Sequence, residues 1–183
     1  MPLTLISTAG STTANSYVSL LEANTYVETY VLASNRRELW DTTDWEDLER
    51  SLIIATRNLD DMFCWGGRKT YSSGALDWPR QFIYDELGNQ YAQDEIPRAI
   101  KDATIEYALW LLDNSDDFPK TESFQYDSIT VGPIKIDYNE KAGGLRERYI
   151  PDIITSLLNN FGEYIPVGMQ SSNAIKVARL YRS

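Results

Sequence analysis

The chain has 183 residues, with 17 Lys and Arg against 27 Asp and Glu, no His, one Cys and a formal net charge of −10. This length suits a single core that needs no disulfide or metal staple, and the lack of His removes Ser-His-Asp and Cys-His nucleophile arrangements and the HExxH zinc site. The single Cys64 excludes an internal disulfide and is expected as a buried or half-buried structural thiol, while the net charge argues against a sequence-independent DNA binder, whose affinity comes from Lys and Arg.

Charge is unevenly placed. Residues 1–21 carry no charged side chain, residues 22–170 carry 14 basic and 27 acidic ones, and the last 13 carry Lys176, Arg179 and Arg182 with no acid. No stretch approaches about 18 consecutive apolar residues and no basic segment precedes an apolar one at the N-terminus, so the expectation is a cytoplasmic protein.

Ser19-Leu20-Leu21-Glu22 has the pattern of a capping box and predicts a helix over about 19–32, with Leu20, Ala23, Val27 and Val31 on one stripe beside Tyr26 and Tyr30. Thr43-Asp44-Trp45-Glu46 repeats the pattern, and Trp45, Leu48, Leu52, Ala55, Leu59 and Met62 step by three and four, which predicts a long amphipathic helix closed by Gly66-Gly67. Residues 64–95 hold Trp65, Tyr71, Trp78, Phe82, Tyr84 and Tyr91 without a sustained period, the mark of a loop that is functional or packed by its own side chains. A third helix is expected from Pro97 through Ile100, Ala103, Thr104, Tyr107, Ala108 and Leu111.

Over 121–138 the period changes to two. Phe124 and Tyr126, then Ile134, Ile136 and Tyr138, predict a β-hairpin with Asp127-Ser128 near its turn and Pro133 confining the second strand to an edge or a bulge. Pro151 opens a fourth helix with Ile153, Ile154, Leu157, Leu158 and Phe161 facing one side. The fold class expected is mainly α: a small bundle of about four helices with an inserted aromatic loop, a β-hairpin and an extended C-terminal arm. Residues 1–163 would form the helical domain, with the loop at 64–95 and the hairpin at 121–138, and residues 164–183 the arm.

Acid pairs occur at Asp60-Asp61, Asp85-Glu86, Asp94-Glu95 and Asp116-Asp117. Two carboxylates can serve glycosidase or Mg²⁺-dependent phosphoryl chemistry, but none of these lies in a catalytic motif, and solvated surface is the favoured reading. The aromatics at 65–91 would suit base stacking, yet only Arg68, Lys69 and Arg80 accompany them against Asp77, Asp85 and Glu86, so charge favours core packing or a protein interface. In the tail, Ile175, Val177, Leu180 and Tyr181 alternate with Lys176, Arg179 and Arg182, the composition of a segment that orders on a partner rather than frays.

Four blocks carry a resemblance: Ser16-Tyr17-Val18-Ser19-Leu20 with Glu22, Ala23 and Tyr26; Leu76-Asp77-Trp78-Pro79-Arg80; Ile96-Pro97-Arg98-Ala99-Ile100-Lys101 with Ala103 and Glu106; and Val131-Gly132-Pro133-Ile134 with Ile136 and Tyr138. In this order they resemble the head-tail connector, adaptor or head completion proteins of tailed phages, a group that includes members labelled DnaT-like single-stranded DNA binding proteins. The resemblance implies a non-enzymatic structural protein of the virion neck, assembled in the host cytoplasm, without metal or cofactor. It would form a homo-oligomeric ring, of twelve copies, between the portal protein and the tail, nozzle or stopper proteins, and genomic DNA would pass through an acidic bore without binding. Portal contact would then fall to Ile175, Lys176, Val177, Arg179, Leu180, Tyr181 and Arg182, and tail-protein contact to Phe124, Tyr126, Ile134 and Ile136. The alternative from a different class is a single-stranded nucleic-acid binding module, on the strength of the aromatic loop.

Overall fold

A computed structural model of the chain describes residues 4–114, 128–131, 134–137 and 150–165. Its first helix, α1 (Leu20–Tyr30), begins where the capping box places it: the Ser19 side chain accepts from the Glu22 N–H, and the Glu22 carboxylate accepts from the Ser19 N–H at 2.9 Å. Ala23 and Val27 are buried on its inner face. A short helix unforeseen in the sequence follows, α2 (Asn35–Thr42), which buries Trp40 alone. Polar tertiary bonds hold it. Trp40 donates through Nε1 to Asn24 at 3.0 Å, Arg37 donates to the Val27 carbonyl, and Arg36 pairs with Glu106 at 3.0 Å. Such bonds leave no hydrophobic period to read.

Helix α3 (Trp45–Met62) is the long amphipathic element, burying Leu48, Leu52, Ala55, Leu59 and Met62. Two expectations fail at its start. Asp44, not Thr43, is the N-cap and makes no side-chain cap bond, and the Thr43 hydroxyl donates to the Leu39 carbonyl of the preceding helix. Trp45 stands 52% exposed, since it opens the helix one turn before the stripe reaches the core. The helix also stops at Met62, ahead of Gly66-Gly67, because the chain turns directly into β1 (Phe63–Trp65). The alternation of that strand puts Phe63 and Trp65 inward and Cys64 outward, so Cys64 is exposed and not the buried thiol expected.

The loop expected at 64–95 contains two further strands, β2 (Arg68–Lys69) and β3 (Arg80–Gln81), paired antiparallel with Arg68 opposite Gln81 and Lys69 opposite Arg80. Helix α4 (Arg98–Asp113), with Pro97 at its N-cap, is buried on more than one face: Ile105, Glu106 and Leu109 are enclosed as well as Ile100, Ala103, Thr104, Tyr107, Ala108 and Leu111. It packs against α1, α2, α3 and α5 (Asp152–Leu158) and is the axis of the bundle. In α5, Ile154 and Leu158 are fully buried whereas Ile153 is half-exposed. The last strand, β6 (Gly162–Tyr164), pairs antiparallel with β1, Phe63 opposite Tyr164 and Trp65 opposite Gly162. The architecture is mainly α with small antiparallel pairs, as the helical periods predict.

The chain divides into two compact units, Met1–Phe118 with Ile150–Tyr164, and Pro119–Tyr149 with Ile165–Ser183. Within the second, a hairpin pairs β4 (Ser128–Val131) with β5 (Ile134–Asp137), Val131 opposite Ile134. Ser128 thus lies within a strand, opposite Asp137, and not at the turn expected near Asp127-Ser128. Ile134 and Ile136 lie in β5, and Tyr164, the first residue of the expected arm, belongs instead to β6; Phe124, Tyr126, Asp116-Asp117 and the rest of the arm from Pro166, with Ile175, Lys176, Val177, Arg179, Leu180, Tyr181 and Arg182, lie outside the described residues.

Candidate functional site

The aromatic residues of the 64–95 segment separate into two groups with opposite surroundings. Trp65 and Trp78 are buried, meet edge to face at 5.7 Å, and form one cluster with Phe63, Phe161, Tyr91 and Tyr164 at centroid separations of 5.0–5.8 Å. This group is packing, as charge alone suggested. Tyr71, Phe82 and Tyr84 are 40%, 56% and 50% exposed.

Asp60 anchors the buried group. Its carboxylate accepts hydrogen bonds from the Tyr17 hydroxyl, from Trp65 Nε1 at 3.0 Å and from the Asp77 backbone N–H at 3.3 Å. Burial, with the neighbouring Asp77 charge adding to it, pushes this carboxyl up to about 6 against the hydrogen bonds that oppose the shift. Burial, followed by the Asp60 charge, pushes the Tyr17 hydroxyl well up as well. Asp60 is thus a structural tie between the N-terminal segment, α3, β1 and the base of the loop, not half of a solvated acid pair.

Arg80 is spent in the same way. Its guanidinium donates to the carbonyls of Gly66 at 2.5 Å, Asp77 at 3.3 Å, Gly67 at 3.3 Å and Trp65 at 3.4 Å. Four carbonyls around one fork leave it little capacity for another ligand, and it fixes the β2–β3 pair over the aromatic cluster. Gly67 makes that pair possible: it has a φ of +62°, and a Cβ there would run into the Gln81 carbonyl.

The pair presents a surface hollow of about 370 Å³ lined by Arg68, Lys69, Thr70, Ser72 and Gln81. Arg68 is exposed and its guanidinium has no hydrogen-bond or ion-pair partner among the described residues, and Lys69 Nζ lies 3.8 Å from Asp77 Oδ1, the outer limit of an ion pair. Thr70 donates its hydroxyl to the Gln93 carbonyl at 2.5 Å, which ties the rim of the hollow to the far end of the loop. Phe82 follows Gln81 directly in the chain, and Tyr71 lies between two of the lining residues. Of the acids that weigh against Arg68 and Lys69, Asp85 is occupied: its carboxylate accepts from Leu87, Asn89 and the Asn89 amide at 2.7–3.0 Å. Those bonds, the Asn89 side chain foremost, hold it below the ordinary carboxylate range. Asp85 therefore stays ionised, its charge satisfied by the 85–89 turn it holds together.

Arg68 and Lys69 are visible in the sequence as cations beside the aromatic residues, but the acids around them set them aside there as a nucleic-acid site. Thr70, Ser72 and Gln81 carried no signal there, because their convergence depends on the register of β2 with β3. Among the described residues no group of three or more His, Cys, Asp or Glu side chains could hold a metal ion, and no helix is long and apolar enough to cross a membrane.

No curated protein and no solved structure matches the chain. One protein family does, over residues 1–182, described as putative DnaT-like ssDNA binding protein. This corrects the resemblance drawn from the four sequence blocks, because the matching family is not a head-tail connector family. The neck role, the portal, tail, nozzle and stopper partners, the ring and the passage of DNA without binding do not carry over. The physical reason lies in the blocks themselves: Ser16, Tyr17, Val18, Trp78, Ile96, Ile100, Ala103 and Glu106 are all buried, so they report how the chain packs and not what its surface meets. By a match that spans nearly its whole length, the chain belongs to the family described as putative DnaT-like ssDNA binding protein.

Proposed function

We propose that the chain binds single-stranded DNA on the β2–β3 face, with Arg68 and Lys69 as the phosphate contacts. The observation that carries this reading is the hollow itself. Two adjacent cations, the side chain of one unpartnered among the described residues, line it together with two hydroxyl-bearing side chains and an amide, and the exposed Tyr71 and Phe82 are chain neighbours of lining residues. Phosphate oxygens suit such a set, since cations supply the affinity while the Ser72 hydroxyl and the Gln81 amide can donate to fix the strand's position, the Thr70 hydroxyl being given to the Gln93 carbonyl. Aromatic rings beside a cationic track are the arrangement by which single strands are held without sequence preference. The family to which the chain belongs supports the same reading.

The test is fluorescence anisotropy of a labelled oligo(dT) titrated with the full chain at low salt, repeated with an Arg68→Ala/Lys69→Ala double variant whose fold is checked by circular dichroism. Binding by the wild type, weakened about tenfold or more in the double variant through the loss of two charge-assisted contacts, is the expected result. No binding by the wild type, or equal affinity in the variant, removes the reading.

A further inference from the structure

We infer that Phe82 is the base-stacking residue of this surface, so that the site takes a nucleotide whose base is unpaired and whose phosphate lies against Arg68 and Lys69. The inference rests on the single-stranded DNA reading and adds to it the residue that distinguishes a single strand from a duplex.

The observation behind it is a conflict between backbone and side chain. Phe82 has a φ of 61°, and among the described residues the other positive-φ positions are Gly10, Gly67 and Gly88. A side chain with a Cβ is disfavoured in the left-handed region, and a bulky aromatic especially so. Such a conformation persists only when the surroundings over-determine it. Here they do. On one side Gln81 is paired with Arg68 in the β2–β3 register; on the other Ile83 is buried, and its carbonyl accepts from Tyr91 N–H at 3.0 Å. Burial of the ring would offset the conflict, but the ring is 56% exposed. Folding thus gains little from an aromatic residue at this position, where glycine would be free of strain.

An exposed ring directly after a hollow-lining residue does have a use if a ligand covers it. The occupant is indicated by charge: Arg68 and Lys69 favour an anion beside the ring, and the ligand that joins an anion to a flat π-face at one-residue spacing is a nucleotide in a strand. In a duplex both faces of each base are already stacked on neighbours, so only an unpaired base can lie on Phe82. Tyr84, two residues on and half-exposed, gives a following base a second ring.

The test compares two oligonucleotides of equal length and charge, oligo(dT) and the same backbone carrying abasic sites, against the full wild-type chain, Phe82→Gly, Phe82→Tyr and Arg68→Ala. One stacked base corresponds to a preference of roughly 5- to 150-fold for oligo(dT) over the abasic strand. The wild type and Phe82→Tyr are expected to show it. Phe82→Gly is expected to bind both strands alike while its Tm is unchanged or higher, and Arg68→Ala to weaken both strands and keep the preference. Retention of the full preference in Phe82→Gly overturns the inference, as does a fall in Tm with equal loss of affinity for both strands. Failure of the wild type to bind either strand overturns the single-stranded DNA reading instead, whereas binding that depends on Arg68 but is indifferent to Phe82 overturns this inference alone.

Discussion

Asp60 sits where the Tyr17 hydroxyl, the Trp65 indole N–H and the Asp77 backbone converge, and its position gives the fold a pH dependence with a definite sign. The folded carboxyl holds its proton up to about 6, against 3.8 for the ordinary group. Between those values the native state binds more protons than the unfolded state, so stability falls as pH rises from about 4 to 6 and is flat above. Denaturant unfolding at pH 4.5 and pH 7 should therefore show the wild type losing stability relative to Asp60→Asn, by on the order of 2 kcal/mol. A gap between the two proteins that does not change with pH would show Asp60 to be ordinarily ionised. In the sequence Asp60 is one acid of a pair beside Asp61; burial by Tyr17, 43 positions away, separates the two, and no local pattern encodes that.

Helix α1 is the element whose start the sequence specifies most closely. Ser19 and Glu22 satisfy each other's backbone N–H groups, and the second oxygen of Glu22 pairs with Lys101 of α4 at 2.5 Å. Although burial pushes the Glu22 carboxyl up, the hydrogen bonds from Lys101 and Ser19 hold it below the usual range. Ser19→Ala should cost about 1 kcal/mol in denaturant unfolding, the ordinary loss for a capping hydroxyl. The β2–β3 pair shows the opposite dependence. Two residues in each strand provide no period, and the pair exists because Arg80 gathers four carbonyls and Gly67 admits the Gln81 backbone. Gly67→Ala is expected to destabilise the protein by roughly 1–3 kcal/mol and to abolish the oligonucleotide binding assigned to Arg68 and Lys69. A variant that binds normally would show that the hollow does not need this register. Helix α2 was missed for the same reason as the strands, since Trp40 to Asn24 and Arg36 to Glu106 are tertiary bonds.

For the molecule as a whole, the net charge of −10 is a poor guide to a local interface. It acts at long range, where salt screens it within about 10 Å at 0.1 M, while Arg68 and Lys69 act at contact. Two phosphate contacts on a single strand imply a slope of about −1.4 in a plot of log affinity against log salt concentration, far shallower than that of a strongly basic binder. Anisotropy titrations at several salt concentrations measure it, and a slope several times steeper would place most of the contacts elsewhere on the chain. What the sequence determined by itself was the mainly helical class, most of the buried stripes of α1, α3 and α4, with Trp45 and, in α5, Ile153 falling outside, and the cap at Ser19, because these depend on neighbours three or four residues apart. Tertiary structure alone decided which aromatic residues of the 64–95 segment are core and which are surface, that Arg80 is consumed by backbone while Arg68 is exposed with its guanidinium unpartnered among the described residues, and that Phe82 is held outward. Each of those outcomes depends on the pairing of β2 with β3 and on groups brought together from distant parts of the chain, and burial and available charge are properties of that assembled surroundings, not of residue type.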